Sequence, residues 1–380
     1  MRFEFATAAR ILFGPGTSAE LEAIAAGFGS RALLVTGKSA RGNIASGKPA
    51  FARATFRVTK EPTIAMIRQA VDVFRAAACD VVVAVGGGSA VDAGKAVAAA
   101  AANEGDLLDY LEVIGKGRPL EHPPFPFIAV PTTAGTGSEV TRNAVLGSPE
   151  HGVKVSLRSP LMLPRVAIVD PDLTLDLPPG VTASTGLDAL TQLIEPYVCN
   201  RANPMTDALC LAGIRAAAGN LVAAWRDGAN RGARQAMCQA SLFGGLALAN
   251  AGLGVVHGFA APIGGMFDAP HGAVCAALLP AGVAGNIRAL RQRGAANDAL
   301  ARYAEIARLL TGRADADPED AAEWLRNLVD QLEVPGLSAW GVGSAHVTEL
   351  VEKAARASSM KANPILLTPE ELAAVLQQSL

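Results

Sequence analysis

A chain of 380 residues has room for two domains of ordinary size, and with half its residues hydrophobic and 18% charged it can bury a large core. A formal net charge of −2 excludes the basic footprint of a nucleic-acid binder or of a protein held to an acidic membrane surface. The five cysteines (Cys79, Cys199, Cys210, Cys238, Cys275) are odd in number and form no C-x-x-C, which excludes a disulfide framework and indicates reduced thiols in a cytoplasmic protein.

The start, M-R-F-E-F-A-T, carries no apolar h-region, so no secretory signal is expected. Residues 2–13 read as one or two short strands ending at Gly14-Pro15-Gly16. Thr17 or Ser18 is placed to N-cap a helix over 19–26. Residues 31–36 form a short apolar strand that runs into Gly37-Lys38-Ser39, and 55–58 form another. Residues 62–78 are helical, with Ile64, Ile67, Val71 and Phe74 at helical spacing. Residues 80–85 are almost wholly apolar, as a parallel strand covered on both faces requires. They lead into Gly86-Gly87-Gly88-Ser89 and a helix over 90–102. A strand over 127–130 ends in Pro131-Thr-Thr-Ala-Gly-Thr-Gly-Ser-Glu139. Strands and helices alternating in this way indicate an α/β domain with a parallel sheet. After Asp170-Pro171 helical patterns dominate: Pro178-Pro179 precede a helix, and others cover 205–225, 234–251, 296–310, 318–332, 346–357 and 369–378. The expected boundary lies near residue 177, giving an α/β domain over 1–177 and an all-helical domain over 178–380.

Two loops at strand ends are suited to phosphate. Glycines at 86–88 let backbone approach a pyrophosphate, and the following helix N-terminus offers free N–H groups. The same glycines also suit a plain tight β-to-α turn, and the spacing is not G-x-G-x-x-G. The Thr/Ser/Gly-rich loop 131–139 suits hydrogen bonding to ribose and phosphate, and two such loops together favour a nucleotide site. Asp92 and Lys95 either pair at i, i+3 or Asp92 turns toward that site.

Residues 235–267 contain no formally charged residue, yet the stretch carries Gln235, Gln239, Asn250 and His257 and is broken by glycines. It fits buried helices with glycine-lined turns better than a membrane span. His257 and His271, each followed by glycine, need a polar partner or a metal if buried. They are either two separately satisfied core histidines or two ligands. Upstream, Asp188 and Gln192 share one face of a helix over 185–195, which Thr182 or Ser184 can cap. They are either an ordinary polar pair or, with His257 and His271, a divalent-metal site.

The segments Gly86-Gly-Gly-Ser-Ala-Val-Asp-Ala-Gly-Lys95, 131–139, the helix from Thr185 through Asp188 to Glu195, and His257 with Pro270-His271-Gly272 together resemble the iron-containing (group III) alcohol dehydrogenase family. Four motifs stand in the family's order over nearly the whole chain. The resemblance implies a dehydroquinate synthase-like fold, with an N-terminal dinucleotide-binding α/β domain, an all-α C-terminal domain, and a cleft between them with the metal on the helical side. It implies NAD or NADP as cofactor and Fe²⁺ or Zn²⁺ as metal. By position, Gly86, Gly87, Gly88 and Ser89 would hold the pyrophosphate, and Thr132, Thr133 and Ser138 the nicotinamide half. Lys154 would reach the cofactor ribose, and Asp92 would join the cofactor site. Asp188, His257 and His271 would bind metal, with Gln192 beside them, and the two histidines would serve catalysis as ligands.

The chain departs from the family in three places. Gln192 stands where the family usually has His, and Ala261 where a second His often follows the first. Gly37 stands where many NAD-preferring relatives carry Asp, and with Lys38, Ser39 and Arg41 it admits the 2′-phosphate of NADP. The expected reaction is metal-assisted reversible hydride transfer between a small alcohol and an aldehyde or ketone. The alternatives are a metal-independent oxo-acid reductase resembling maleylacetate reductase, a lyase resembling dehydroquinate synthase, and a nucleotide binder without catalysis. The apolar segment 259–267 suggests an apolar substrate pocket. No nucleic-acid or membrane partner is expected, and the assembly expected is a homodimer.

Overall fold

The computed structural model describes residues 2–38, 49, 51–175, 177–294 and 298–380. They fall into two compact units: residues 6–133 with 137–175, and residues 176–380 with 1–5 and 134–136.

In the first unit the strands are β1 (Arg10–Phe13), β2 (Ala32–Thr36), β3 (Ala52–Arg57), β4 (Val81–Gly86), β5 (Phe127–Pro131), β6 (Asn143–Ser148), β7 (Val153–Arg158) and β8 (Val166–Val169). Its helices are α1 (Leu21–Ala26), α2 (Ile64–Ala76), α3 (Gly88–Ala102) and the short α4 (Leu107–Tyr110). Six strands form one parallel sheet in the order β1-β8-β5-β4-β2-β3, and β6 and β7 pair as a separate antiparallel hairpin. Every residue of β2, β4, β5 and β8 is buried. Leu33, Val35, Val82 and Ala84 pack with Ile67, Phe74 and Val97 on one face. Leu34, Val83, Val85 and Ile128 pack with Leu21 and Ile24 on the other. Both faces are therefore core, which is why these strands are continuously apolar rather than alternating.

From β2 the chain moves outward to β3, whereas from β4 it moves the opposite way to β5. The connections diverge between β2 and β4, and open α/β sheets bind ligands at the carboxyl ends of such a pair. Thr36 is paired with Val85 and Gly86 with Pro131, so β2, β4 and β5 end at one level.

The structure corrects several local expectations. Among residues 2–13 only Arg10–Phe13 is strand, because its partner β8 offers four positions. Thr17 and Ser18 do not cap a helix at 19; a 3-10 turn over Thr17–Glu20 leads into α1 instead. Asp170 performs the capping from far along the chain, accepting from the backbone N–H of Gly16 and of Ser18, each at 3.0 Å, and from Ser18 Oγ at 2.5 Å. The β6–β7 hairpin and β8 were not anticipated. Ser39 and Arg41 lie outside the described residues.

Lys95 of α3 is fully buried and stitches that helix to the loop after β5. It donates to Ser138 O at 2.8 Å and Thr141 Oγ1 at 2.9 Å, and it pairs with Asp92 at 3.4 Å. Glu139 is buried beside this network. Burial pushes its carboxyl up to about 7, with a backbone hydrogen bond and the Lys95 charge opposing.

In the second unit all nine described α-helices pack on one another: α5 (Pro179–Val198), α6 (Pro204–Arg226), α7 (Arg231–Asn250), α8 (Val255–Met266), α9 (His271–Arg293), α10 (Ala299–Thr311), α11 (Pro318–Gln331), α12 (Val347–Arg356) and α13 (Pro369–Gln377). At the centre is α5, buried at every position from Gly186 to Val198. It begins at Pro179, a first-turn proline that needs no N–H partner. Thr182 and Ser184, expected as caps, therefore lie inside the helix; Thr182 Oγ1 accepts from Arg234 Nη1 at 2.8 Å and Ser184 Oγ donates to Val181 O at 3.2 Å. By length and composition α6 and α9 are apolar enough to cross a membrane. The apolar window of α9 is 89% buried, and that of α6 is 33% buried. The arginines at the end of α9 are exposed, with Arg291 and Arg293 paired to Glu319 and Glu371.

Glu139 makes a pH prediction. Its folded pKa lies above its unfolded value, so the native state binds more protons between about pH 4.5 and 7, and stability falls as pH rises through that window. Glu139→Gln removes the titration. Its urea midpoint relative to the parent is expected to rise from pH 5 to pH 8, and a difference independent of pH would contradict the burial argument.

Candidate metal centre

The second unit gathers four chemistry-bearing side chains from three helices. Asp188 lies on α5, His257 in the first turn of α8, and His271 and Cys275 in the first two turns of α9. One ligand-type atom from each lies within 4.8 Å of all the others. His257 Nε2 is 3.4 Å and His271 Nε2 3.8 Å from Asp188 Oδ1. Cys275 Sγ is 3.8 Å from His257 Nε2 and 3.7 Å from His271 Nε2. The two nitrogen–oxygen separations exceed good hydrogen bonds, and the two sulfur–nitrogen ones are long, weak hydrogen-bond contacts. Asp188, His257 and Cys275 are buried, whereas the His271 side chain is 36% exposed and gives the cluster an open side.

Helix register explains the gathering. Asp188, Gln192 and Glu195 stand at i, i+4 and i+7 of α5 and share one face. Glu195 reaches the start of α8, where its Oε1 accepts from Val256 N–H and its Oε2 from His257 Nδ1, both at 2.7 Å. Asn363 Oδ1 takes the neighbouring Val255 N–H at 3.0 Å. Two orphan donors of α8 are thereby satisfied, and a carboxylate sits where the helix dipole favours it. With Nδ1 committed to Glu195, Nε2 is the ring nitrogen that faces Asp188. On α9, His271 and Cys275 are four apart and share a face. Gly272 lets α9 lie close to α5: a Cβ there would come within 2.7 Å of Ser184 O, which is backbone and cannot swing away.

The electrostatics favour a cation. Burial would lower His257, but Cys275, Glu195 and Asp188 raise it well above the usual imidazole range. His271 is pushed up to about 9, chiefly by the Cys275 sulfur, with burial opposing and Asp188 adding. Burial would raise Asp188, but the charge of His271, the long contact and charge of His257, and Gln192 beside it hold it below the usual carboxylate range. Two buried acceptors, Asp188 Oδ1 and Gln192 Oε1, have no hydrogen-bond partner. Each such orphan costs about 1–3 kcal/mol, and a cation among these donors would remove the penalty. The residues present therefore fit a divalent ion. Gln192 Nε2 donates to Gly135 O at 3.4 Å; a carbonyl can only accept, which fixes the amide nitrogen on that side. Ala261 is exposed.

The expected cofactor residues of the first unit lie at the strand ends. Gly37 follows β2, Gly86 ends β4, Gly87 caps α3, and Gly88 and Ser89 open that helix. A Cβ on Gly86 would meet Gly37 N at 3.0 Å and Gly37 Cα at 3.2 Å, so the two backbones abut at the sheet's switch point. Thr132 N–H donates to Gly86 O at 2.9 Å, and a Cβ on Gly87 would stand 3.3 Å from Thr133. Gly37, Gly86, Gly87, Gly88, Ser89, Thr132 and Thr133 are thus brought together. Asp92 and Ser138 are engaged with each other, and Asp92 Oδ2 also accepts from Val145 N–H at 3.0 Å, so that pair anchors the loop. Lys154 is paired with Glu61. Of residues 259–267, Phe259, Ala260 and Ile263 are buried, while the rest are partly or fully exposed.

Sequence reasoning missed Glu195 and Cys275. The i+7 position from Asp188 marks the first, and the H-x-x-x-C spacing from His271 marks the second. Glu195 generates a prediction. Glu195→Gln keeps the shape but can turn an amide N–H toward His257 Nδ1, which moves the ring proton to Nε2. Affinity for Zn²⁺, read by competition with a chromogenic chelator, is expected to fall about 10–100-fold. Unchanged affinity would mean that Glu195 does not set the tautomer.

Comparison with known proteins matches a model described as iron-containing alcohol dehydrogenase over residues 8–171, and one for the C-terminal part of the Fe-containing alcohol dehydrogenase family over 182–380. The chain is 39% identical over 328 residues to 1,3-propanediol dehydrogenase of Klebsiella pneumoniae, covering 85% of this chain and 81% of that one. It is 37% identical over 319 residues to alcohol dehydrogenase 4 of Saccharomyces cerevisiae, covering 84% and 80%. Among solved structures, 1,3-propanediol oxidoreductase superposes with a TM-score of 0.89 at 35% identity, covering all of both chains. Sulfoacetaldehyde reductase from Bifidobacterium kashiwanohense, in complex with NAD⁺, gives 0.86 at 29%, covering 100% of this chain and 99% of that one. With family models matching both compact units and relatives matching most of their own length, the chain belongs to the iron-containing alcohol dehydrogenase family.

Proposed function

We propose that this protein is an NAD(P)-dependent alcohol dehydrogenase that moves a hydride reversibly between a small alcohol and a nicotinamide cofactor, with a divalent ion held by Asp188, His257 and His271. The observation that carries this reading is the buried Asp188 Oδ1, without a hydrogen-bond partner, facing two imidazole Nε2 atoms in a chain of this family. When bound, the ion supplies Lewis-acid polarisation of the alcohol or carbonyl oxygen, and the nicotinamide takes or gives the hydride.

The protein's own residues position and protect. Glu195 holds His257 in one tautomer, and burial keeps water from Asp188 and His257. The half-exposed His271 marks the side from which substrate oxygen enters. Backbone N–H groups at 87–89 and the N-terminus of α3 suit a pyrophosphate. Thr132 and Thr133 adjoin that turn and suit the nicotinamide half. Nothing at Gly37 repels a 2′-phosphate, and Lys38 follows it, so we infer that NADP is accepted beside NAD. A small alcohol is supported by relatives named for 1,3-propanediol, 4-hydroxybutyrate and methanol. Five free cysteines support a reducing compartment, the cytoplasm.

Chelation is expected to abolish nicotinamide reduction by a panel of small alcohols, and Fe²⁺ or Zn²⁺ to restore it. His271→Ala should lose metal dependence and activity together, and Gln192→His should tighten metal binding. Full activity after chelation would replace this reading with the metal-independent reductase. In titrations with both cofactors, Gly87→Val should weaken binding at least about tenfold, or 1.4 kcal/mol, with the fold intact. Gly37→Asp should weaken NADP more than NAD. Unchanged NAD affinity in Gly87→Val would remove the pyrophosphate from this turn.

A further inference from the structure

Resting on the reading of this cluster as a metal site, we propose that Cys275 is itself a metal ligand. Its thiolate takes the coordination corner that Gln192, a neutral amide, leaves weak. Four observations carry this.

The first is geometric. A four-coordinate ion with bonds of about 2.0–2.1 Å to nitrogen and oxygen and about 2.3 Å to sulfur has ligand-to-ligand edges of about 3.3–3.6 Å. Four of the six edges are 3.4 Å for Asp188–His257, 3.8 Å for Asp188–His271, 3.8 Å for Cys275–His257 and 3.7 Å for Cys275–His271, and the four ligand atoms all lie within 4.8 Å of one another. One printed edge falls in that span and the others lie above it, so the four side chains close the shell by moving inward. The second is the orphaned Asp188 Oδ1 at the same point, a buried carboxylate oxygen that no protein donor satisfies.

The third is the disposition of Gln192. Its Oε1 is free of hydrogen bonds but is a neutral donor, on a stem that α7 packs against, where a Cβ on Gly244 would stand 3.2 Å from Gln192 Cβ. The Cys275 sulfur is fully buried and stands against both imidazoles, at 3.8 Å and 3.7 Å from their Nε2 atoms. The fourth is donor chemistry. A thiolate is anionic and soft, and it binds Zn²⁺ or Co²⁺ far better than a neutral amide oxygen. With Asp188 it brings the ligand charge to −2, which neutralises a divalent ion in a buried site.

Coordination breaks the S–H bond of Cys275 and forms a sulfur–metal bond, and the proton leaves to buffer with no change of oxidation state. One consequence is metal preference. The Asp-His-His-Cys set favours Zn²⁺ and Co²⁺ over Mn²⁺ and Mg²⁺ more strongly than an all-imidazole and carboxylate set does.

The test is a Co²⁺ titration of the chelator-stripped full chain, followed in the visible and near-ultraviolet and by calorimetry. The expected result is visible d–d bands together with a near-ultraviolet thiolate-to-cobalt charge-transfer band. Cys275→Ser should lose the charge-transfer band, keep d–d bands and bind at least tenfold more weakly, with an unchanged far-ultraviolet dichroism spectrum. Gln192→Ala should keep the charge-transfer band and lose less affinity than Cys275→Ser. Visible bands without charge transfer in the parent would overturn the proposal and leave the Asp188–His257–His271 site standing. No Co²⁺ binding would overturn both. A larger loss in Gln192→Ala than in Cys275→Ser would return the corner to the amide.

Discussion

One buried carboxylate oxygen sets the terms for the helical unit. Asp188 sits near the middle of the most buried helix, and its Oδ1 has no hydrogen-bond donor. A charge there is tolerated only if something positive faces it. The rest of the neighbourhood supplies that: two imidazoles arrive at the N-terminal ends of α8 and α9, and their approach is fixed by Glu195 on one side and by Gly272 on the other. The interaction also explains why an almost charge-free stretch of sequence contains a histidine at all. Apolar packing places the ring, and Glu195 selects its tautomer.

The nucleotide-type features of the first unit rest on a different constraint. A sheet covered on both faces leaves its strand ends uncovered, and the diverging connections of β2 and β4 leave a crevice there. Gly37 and Gly86 abut in that crevice, and the loop from Thr132 is tied to it by one backbone hydrogen bond. The buried Lys95, with Asp92, Ser138 and Thr141, holds α3 and the loop in one arrangement. Each unit thus builds its site on helices and strand ends, and in the first unit the Lys95 network is satisfied by partners within the same unit.

Much of this was legible in the sequence where a signal is local. Continuous apolar runs marked β2, β4 and β5; the glycine turn marked the start of α3; the i, i+4 pair Asp188 and Gln192 marked one face of α5. What was not legible depended on which faces meet. Periodicity places Glu195 on the face of Asp188 but does not say that α8 begins beside it. A cysteine without a nearby cysteine reads as a reduced core thiol, yet the helix geometry of α9 carries Cys275 back onto His271. Asp170 serving Gly16 and Ser18, and Lys154 paired with Glu61, are long-range choices that no window reports. The Thr182 and Ser184 caps failed for a local reason: a first-turn proline starts the helix earlier.

Asp188 either faces a cation in the native protein or stays buried without one. Thermal unfolding of the chelator-stripped chain with and without Zn²⁺ or Fe²⁺ measures this directly, because a ligand that binds only the native state stabilises it by about 2.7 kcal/mol at one hundred times its dissociation constant. The parent is expected to melt higher with metal, and Asp188→Asn to show no such shift. An equal shift in both proteins, or none in the parent, would contradict the assignment.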